Sequence, residues 1–122
     1  MKPQVVKVAE RSTQTGQTSG MVREQALHSE KMWAGVARNA PNAFSGWHHH
    51  GEYESAIYVL SGRVRIECGP GGKTVLEGGP GDFLFIPARE VHREGNPTDT
   101  TAEVVLVRAG QGEVVVNVER PE

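Results

Sequence analysis

At 122 residues the chain suits one domain, long enough to bury a core without disulfide staples. A formal net charge of −2 gives no electrostatic basis for holding nucleic acid or an anionic membrane, and the single cysteine excludes an internal disulfide and a cysteine-based zinc site. The longest apolar run is five residues, Ala56 to Leu60, and no signal-peptide stretch follows Met1-Lys2, so the expectation is a cytoplasmic protein with no membrane partner.

Aromatics are scarce at 6%, whereas 15 glycines and 7 prolines supply many turns, a composition that predicts short strands joined tightly. Val5, Val6 and Val8 are read as a frayed terminus rather than a strand. Arg11 to Gly20 holds only Arg, Ser, Thr, Gln and Gly and cannot bury enough apolar surface to offset its ordering. Residues 1–20 are therefore expected to be a mobile arm. Met21 to Leu27 and Met32 to Ala37 are predicted strands, the second ending at the Asn39-Ala-Pro-Asn42 turn. Ser55 to Leu60 is a strand, with Ser61-Gly62 as a two-residue hairpin turn. Val64, Ile66 and Cys68 then alternate with Arg63, Arg65 and Glu67, the period of a half-buried strand, which makes Cys68 a small core residue.

Lys73 to Glu77 and Phe83 to Ile86 are the next strands, the latter stopped by Pro87. Between them, Gly78-Gly-Pro-Gly81 precedes a strand and not a helix, so these are turn glycines with no phosphate to hold. A short strand is expected near Val91, a polar loop over Glu94 to Thr101, and strands over Ala102 to Arg108 and Glu113 to Val118. Phe83 and Phe85 are expected in the core, and Arg63, Arg65 and Arg108 on solvated faces. About eight to ten short strands predict an all-β sandwich or barrel over residues 21–118, with a tail at 119–122.

The chemistry concentrates in His48-His49-His50. Side chains alternate along a strand, so His48 and His50 share a face and can converge on one metal ion, while His49 points away. Gly51 permits a bend. Glu54, at the entrance to the next strand, is the preferred carboxylate and Glu52 its rival, since bending at Gly51 disturbs strand parity. His92, next to the Phe83 to Ile86 strand, is the fourth candidate. His28 lacks ligand-type neighbours and is read as a surface residue. No Gly-x-Ser-x-Gly pattern competes.

These residues resemble the two motifs of a small single-domain cupin. The first motif has a His-x-His pair, a glutamate three or four residues on, and a glycine after six more; His48, His50, Glu54 and Gly62 match it. Asn42 replaces the leading glycine, and seven residues separate Glu54 from Gly62, so counting back from Gly62 puts Ser55 at the glutamate position. Serine is a poor metal ligand, which keeps Glu54 as the assignment. Gly81, Pro87, His92 and Asn96 match the second motif, with Arg89 in place of its middle glycine. The resemblance implies a jelly-roll (double-stranded β-helix) barrel. It also implies one divalent transition metal ion held by three histidines and a glutamate.

Neutral imidazoles with one carboxylate suit iron, manganese, nickel, copper or zinc. Such a set leaves about two positions of an octahedral ion open. The leading expectation is a dioxygenase-like oxidoreductase acting on a small organic substrate. The alternatives are a metal-dependent isomerase, epimerase or lyase using Lewis acidity, and a non-catalytic small-molecule binding cupin. For the Lewis-acid reading, Tyr53, Tyr58 and His49 are acid–base candidates. Analogy with cupins also leads us to expect a homodimer.

Overall fold

The computed structural model describes residues 2–112 and 114–122. Its strands are β1 (Met21–His28), β2 (Met32–Asn39), β3 (His48–His49), β4 (Glu54–Ser61), β5 (Val64–Cys68), β6 (Thr74–Gly78), β7 (Phe83–Ile86), β8 (His92–Gly95), β9 (Ala102–Ala109) and β10 (Val116–Asn117). They make two antiparallel five-stranded sheets, ordered β1-β2-β9-β4-β7 and β10-β3-β8-β5-β6. This is the expected all-β jelly roll.

Strand parity places the core between the sheets. Trp33 and Ala37 of β2, Ile57 and Val59 of β4, Ala102, Val104 and Leu106 of β9, and Leu84 and Ile86 of β7 face inward from one sheet. Val64 and Ile66 of β5 meet them from the other. Register lines these residues up across strands. One row runs Trp33, Arg108, Ser55, Ile86, and another runs Arg23, Ala37, Val104, Val59. Burying such side chains contributes about 1.5–3 kcal/mol each before the entropy of ordering is charged against it.

Parity also corrects two expectations. Phe83 and Phe85 are 74% and 58% exposed, because the register of β7 against β4 turns Leu84 and Ile86 inward beside Ile57 and Ser55. Arg108, expected in solvent, is 1% exposed: it continues the inward series Val104, Leu106 on β9.

Ser61-Gly62 is not a hairpin turn, since β4 and β5 lie in different sheets. It carries the chain across the barrel instead. Gly62 has a φ of +78°, and a Cβ there would come within 2.7 Å of the Ala102 Cα. Only glycine fits both demands.

Elsewhere the boundaries shift. The expected short strand near Val91 is β8, which takes Glu94 out of the predicted loop and into a sheet. Of the predicted strand 113–118, Glu113 lies outside the described residues and Val116–Asn117 is β10. Val8–Glu10 form a 3-10 turn. Within the segment expected as an arm, Ser12 exchanges backbone hydrogen bonds with Gln25, at 2.9 and 2.7 Å. The Gln17 side chain bonds both backbone groups of Arg23, at 2.8 and 2.9 Å. Among the described residues no helix is long and apolar enough to cross a membrane.

Candidate metal centre

β3 and β8 pair so that His48 stands directly opposite His92, with Cys68 of β5 next in the row. The i, i+2 spacing brings His50 to the same side as His48, and the same spacing on β8 brings Glu94 to the side of His92. All four side chains are buried, and one ligand atom from each lies within 4.8 Å of the others. The three imidazole centroids are 4.4 to 5.1 Å apart. A carboxylate oxygen of Glu94 lies 3.6 Å from the Nε2 of His92.

The other ring nitrogens decide what the inward ones can do. His48 Nδ1 lies 2.9 Å from the Gly46 carbonyl, and His92 Nδ1 lies 2.9 Å from the Glu90 carbonyl. His50 Nδ1 bonds the Val114 carbonyl. A carbonyl only accepts, so each Nδ1 carries the proton and donates it, leaving each Nε2 with its lone pair, that of His48 facing Arg23 Nη2 at 3.5 Å. Backbone anchoring of this kind fixes the tautomer and ring orientation of metal-binding histidines. The main chain of Glu94 is pinned as well. Its N–H donates to Ser45 Oγ at 3.0 Å, and its carbonyl accepts from the Ser45 N–H at 2.7 Å.

Charge reinforces the arrangement. Burial first, then the nearby His92, pushes the His48 imidazole down to about 3. Burial and then the Arg108 guanidinium depress His50 far below its ordinary value, so both rings are neutral near pH 7. Burial would raise Glu94, but the His92 and His48 imidazoles and the Arg23 guanidinium around it hold it well below the usual carboxylate range. The cluster therefore offers the neutral imidazoles of His48 and His50, the inward ring of His92 and one carboxylate. His92 Nε2 and Glu94 Oε2 are buried with no hydrogen-bonding partner among the described residues. An ion accepting those lone pairs would complete them. The residues fit a divalent metal, and the cluster suggests such a site.

Glu54 is not among the converging residues. It begins β4 with its side chain exposed, while its neighbour Ser55 is 2% exposed and faces the interior. Its rival Glu52 is also exposed and forms an ion pair with Arg89, at 2.6 Å. Arg89 itself adopts a φ of +62°, the backbone of the motif glycine it replaces, and its N–H donates to the Gly51 carbonyl at 2.8 Å. Counting back from Gly62 thus located the inward position correctly. That position is a serine, and the carboxylate that converges with the histidines is Glu94 of β8. His49 is half-buried, its Nδ1 accepting the Gly51 N–H at 2.9 Å. Asn96, the last residue of the second motif, is buried and bonds the carbonyls of Asn39 and Thr100 at 3.2 and 2.6 Å, shaping the loop after β8.

Residues 35–108 match the Cupin domain family. The chain belongs to that family. Several solved structures share this cupin's fold. KdgF from Halomonas sp. is 18% identical with a TM-score of 0.73, over 91% of this chain and 96% of that one. The polyketide cyclase RemF from Streptomyces resistomycificus is 23% identical with a TM-score of 0.74, over 100% and 88%. The S161A mutant of Bacillus subtilis oxalate decarboxylase OxdC is 17% identical with a TM-score of 0.72, over 86% and 30%. No curated protein matches the chain in sequence.

The sequence carries a signal for Glu94: His92-x-Glu94 has the same spacing as His48-x-His50, masked by the turn residues Gly95, Asn96 and Pro97 that follow it. If the carboxylate ligand is Glu94, Glu94→Gln and His92→Ala will each lower copurified metal severalfold while Glu54→Gln leaves it unchanged, as read by elemental analysis. Equal retention in Glu94→Gln and Glu54→Gln would remove Glu94 from the ligand set.

Proposed function

We propose that this cupin is a mononuclear metal-dependent enzyme acting on a small organic substrate, with His48, His50, His92 and Glu94 as the ligands. The observation that carries the reading is the convergence of three Nε2 lone pairs and one carboxylate in a buried site, with every Nδ1 committed to the backbone. A bound transition ion would supply redox activation of dioxygen or substrate, or Lewis acidity toward a carbonyl. The protein's own contribution is to orient the imidazoles, keep them neutral and exclude water.

Oxygenase chemistry is the first reading, because this donor set suits iron, manganese, nickel or copper. Four protein donors also leave about two positions of an octahedral ion for other ligands. The Lewis-acid reading, an isomerase, epimerase or lyase, has a specific observation in its favour: Arg23 and Arg108 are both buried around the cluster and would stabilise negative charge on a substrate oxygen. A cyclase and a decarboxylase among proteins of similar fold accord with such chemistry. Tyr53, buried with its hydroxyl 3.3 Å from His28 Nε2, is the better placed of the tyrosine candidates for acid–base work. The buried, unpaired Cys68 supports a cytoplasmic location.

Metal analysis of protein purified without added metal, followed by oxygen uptake on catechols, diketones, flavonols and thiols, separates the readings. The expected result is about one redox-active ion per chain with uptake on at least one substrate class. Zinc alone without uptake would transfer the assignment to Lewis-acid chemistry, and no bound metal would overturn both.

The homodimer reading rests on the outer face of the larger sheet. Phe83 and Phe85 are exposed, and register sets them beside Tyr58 and Ala56 and, one strand further, Val105 and Val107. A continuous apolar face of this kind on a soluble domain marks an association surface. Light scattering is expected to give the mass of two chains, falling to one in the Phe83→Glu, Phe85→Glu double variant. A monomeric wild type would refute the dimer.

A further inference from the structure

Two arginines are folded into the barrel with the cluster. Arg23 of β1 is fully buried and Arg108 of β9 is 1% exposed, an unusual place for guanidiniums, which cannot shed their charge. Their protein contacts account for only part of each. Arg23 Nη1 donates to Thr18 Oγ1 at 3.0 Å, and Nη2 lies 3.5 Å from His48 Nε2. Arg108 lies over the Trp33 ring, 4.7 Å from its centroid. Arg23 Nε, and both Nε and Nη1 of Arg108, are buried without an acceptor among the described residues. Ser55, paired with Arg108 in the β4–β9 register, also has a buried hydroxyl with no partner.

The charge balance points the same way. Among the described residues, two buried guanidiniums face one buried carboxylate, Glu94, whose charge acts on both of them. A divalent ion on the cluster would add two further positive charges and leave a surplus of three. Buried charge of one sign is costly unless matched. The matching group must be an anion, and a planar carboxylate suits a guanidinium's paired N–H groups.

We propose that the barrel interior binds a small carboxylate, its anionic group held by Arg108 and Arg23 with Ser55 as a further donor, beside the histidine–glutamate cluster. The proposal rests on the metal-centre reading for what the rest of the bound molecule faces. It narrows the substrate class for that site to molecules that carry a carboxylate, so that within each class tested for oxygen uptake the carboxylated members are the ones expected to react. Arg108 also acts electrostatically on His50, and Arg23 on His48. An anion shared by the two arginines therefore lies close to the ligand set and screens like charge from the ion. Arg108 and Arg23 are positioning residues here, and neither is assigned a proton-transfer role.

The test uses acetate, pyruvate and benzoate against acetamide, pyruvamide and benzamide, titrated into the full-length protein by calorimetry and by thermal shift, both metal-loaded and stripped with chelator. At least one carboxylate should bind about tenfold or more tightly than its amide and raise the melting temperature. Arg108→Met and Arg23→Met should each remove that preference without changing metal content. Their melting temperature without anion should hold or rise, because an unmatched buried cation has gone. Arg108→Lys should keep part of the preference, having the charge without the fork.

Equal binding of every carboxylate and its amide overturns the proposal, and that comparison on the wild type needs no variant to fold. So does a methionine variant that melts lower yet keeps the preference, which would make the arginines structural partners of Trp33 and Thr18. Failure of the metal reading appears separately, as absent metal in the purified protein. In that case the stripped sample decides: a carboxylate preference there upholds the arginine site and its loss refutes it.

Discussion

Three imidazole N–H groups given to three backbone carbonyls are the constraint on which the site depends. His48, His50 and His92 come from two short segments of the smaller sheet, and their ring orientation is set by the carbonyls of Gly46, Val114 and Glu90. With the proton committed to Nδ1 on every ring, the lone pairs on Nε2 turn inward, toward Glu94 and, for His48, the Arg23 guanidinium 3.5 Å away. Leaving a buried polar atom unmatched costs on the order of 1–3 kcal/mol, more for a charged one. The fold sustains several of them at one place, which is expected where function rather than stability sets the residues.

In the sheet β1-β2-β9-β4-β7 a few positions depart from the usual arrangement of apolar residues inside and polar residues outside. β4 and β9 turn Ser55 and Arg108 inward among the aliphatic core, while the strand positions between them carry Ala56, Tyr58, Val105 and Val107 on the outside. β7 sends Leu84 and Ile86 into the core and adds Phe83 and Phe85 to the outer face. The buried Ser55 and Arg108 bear on the proposed carboxylate site, and the outward apolar residues on the proposed dimer. Polar side chains carried on paired strands are held more rigidly than on loops, which favours a preorganised site.

Much of this was legible in the sequence because a strand has a period of two. That rule placed His48 and His50 together, sent His49 elsewhere and identified Cys68 as a core residue. The same rule, applied to Ala102 to Arg108, would have turned Arg108 inward, and applied to His92-x-Glu94 it would have found the carboxylate. Both signals are masked, because arginine and glutamate are usually solvated and because Gly95, Asn96 and Pro97 read as a turn. What no local pattern shows is which sheet a strand joins. Ser61-Gly62 has the composition of a hairpin, yet the chain crosses between sheets there, and register across β9, β4 and β7 is a non-local outcome that alone decides the direction of Phe83 and Phe85. Ser55 at the motif's glutamate position shows the limit of motif reading: spacing finds the place in the barrel, and chemistry can be supplied to it from another strand.

The central claim is that one ion is held by three Nε2 atoms and Glu94. Anomalous diffraction at the absorption edge of the copurified or reconstituted metal tests it most directly. The account predicts a single peak in contact with His48, His50 and His92 through Nε2 and with a carboxylate oxygen of Glu94. A peak bound by Glu54 or Glu52, coordination through any Nδ1, or no peak in the barrel from metal-loaded protein would contradict it.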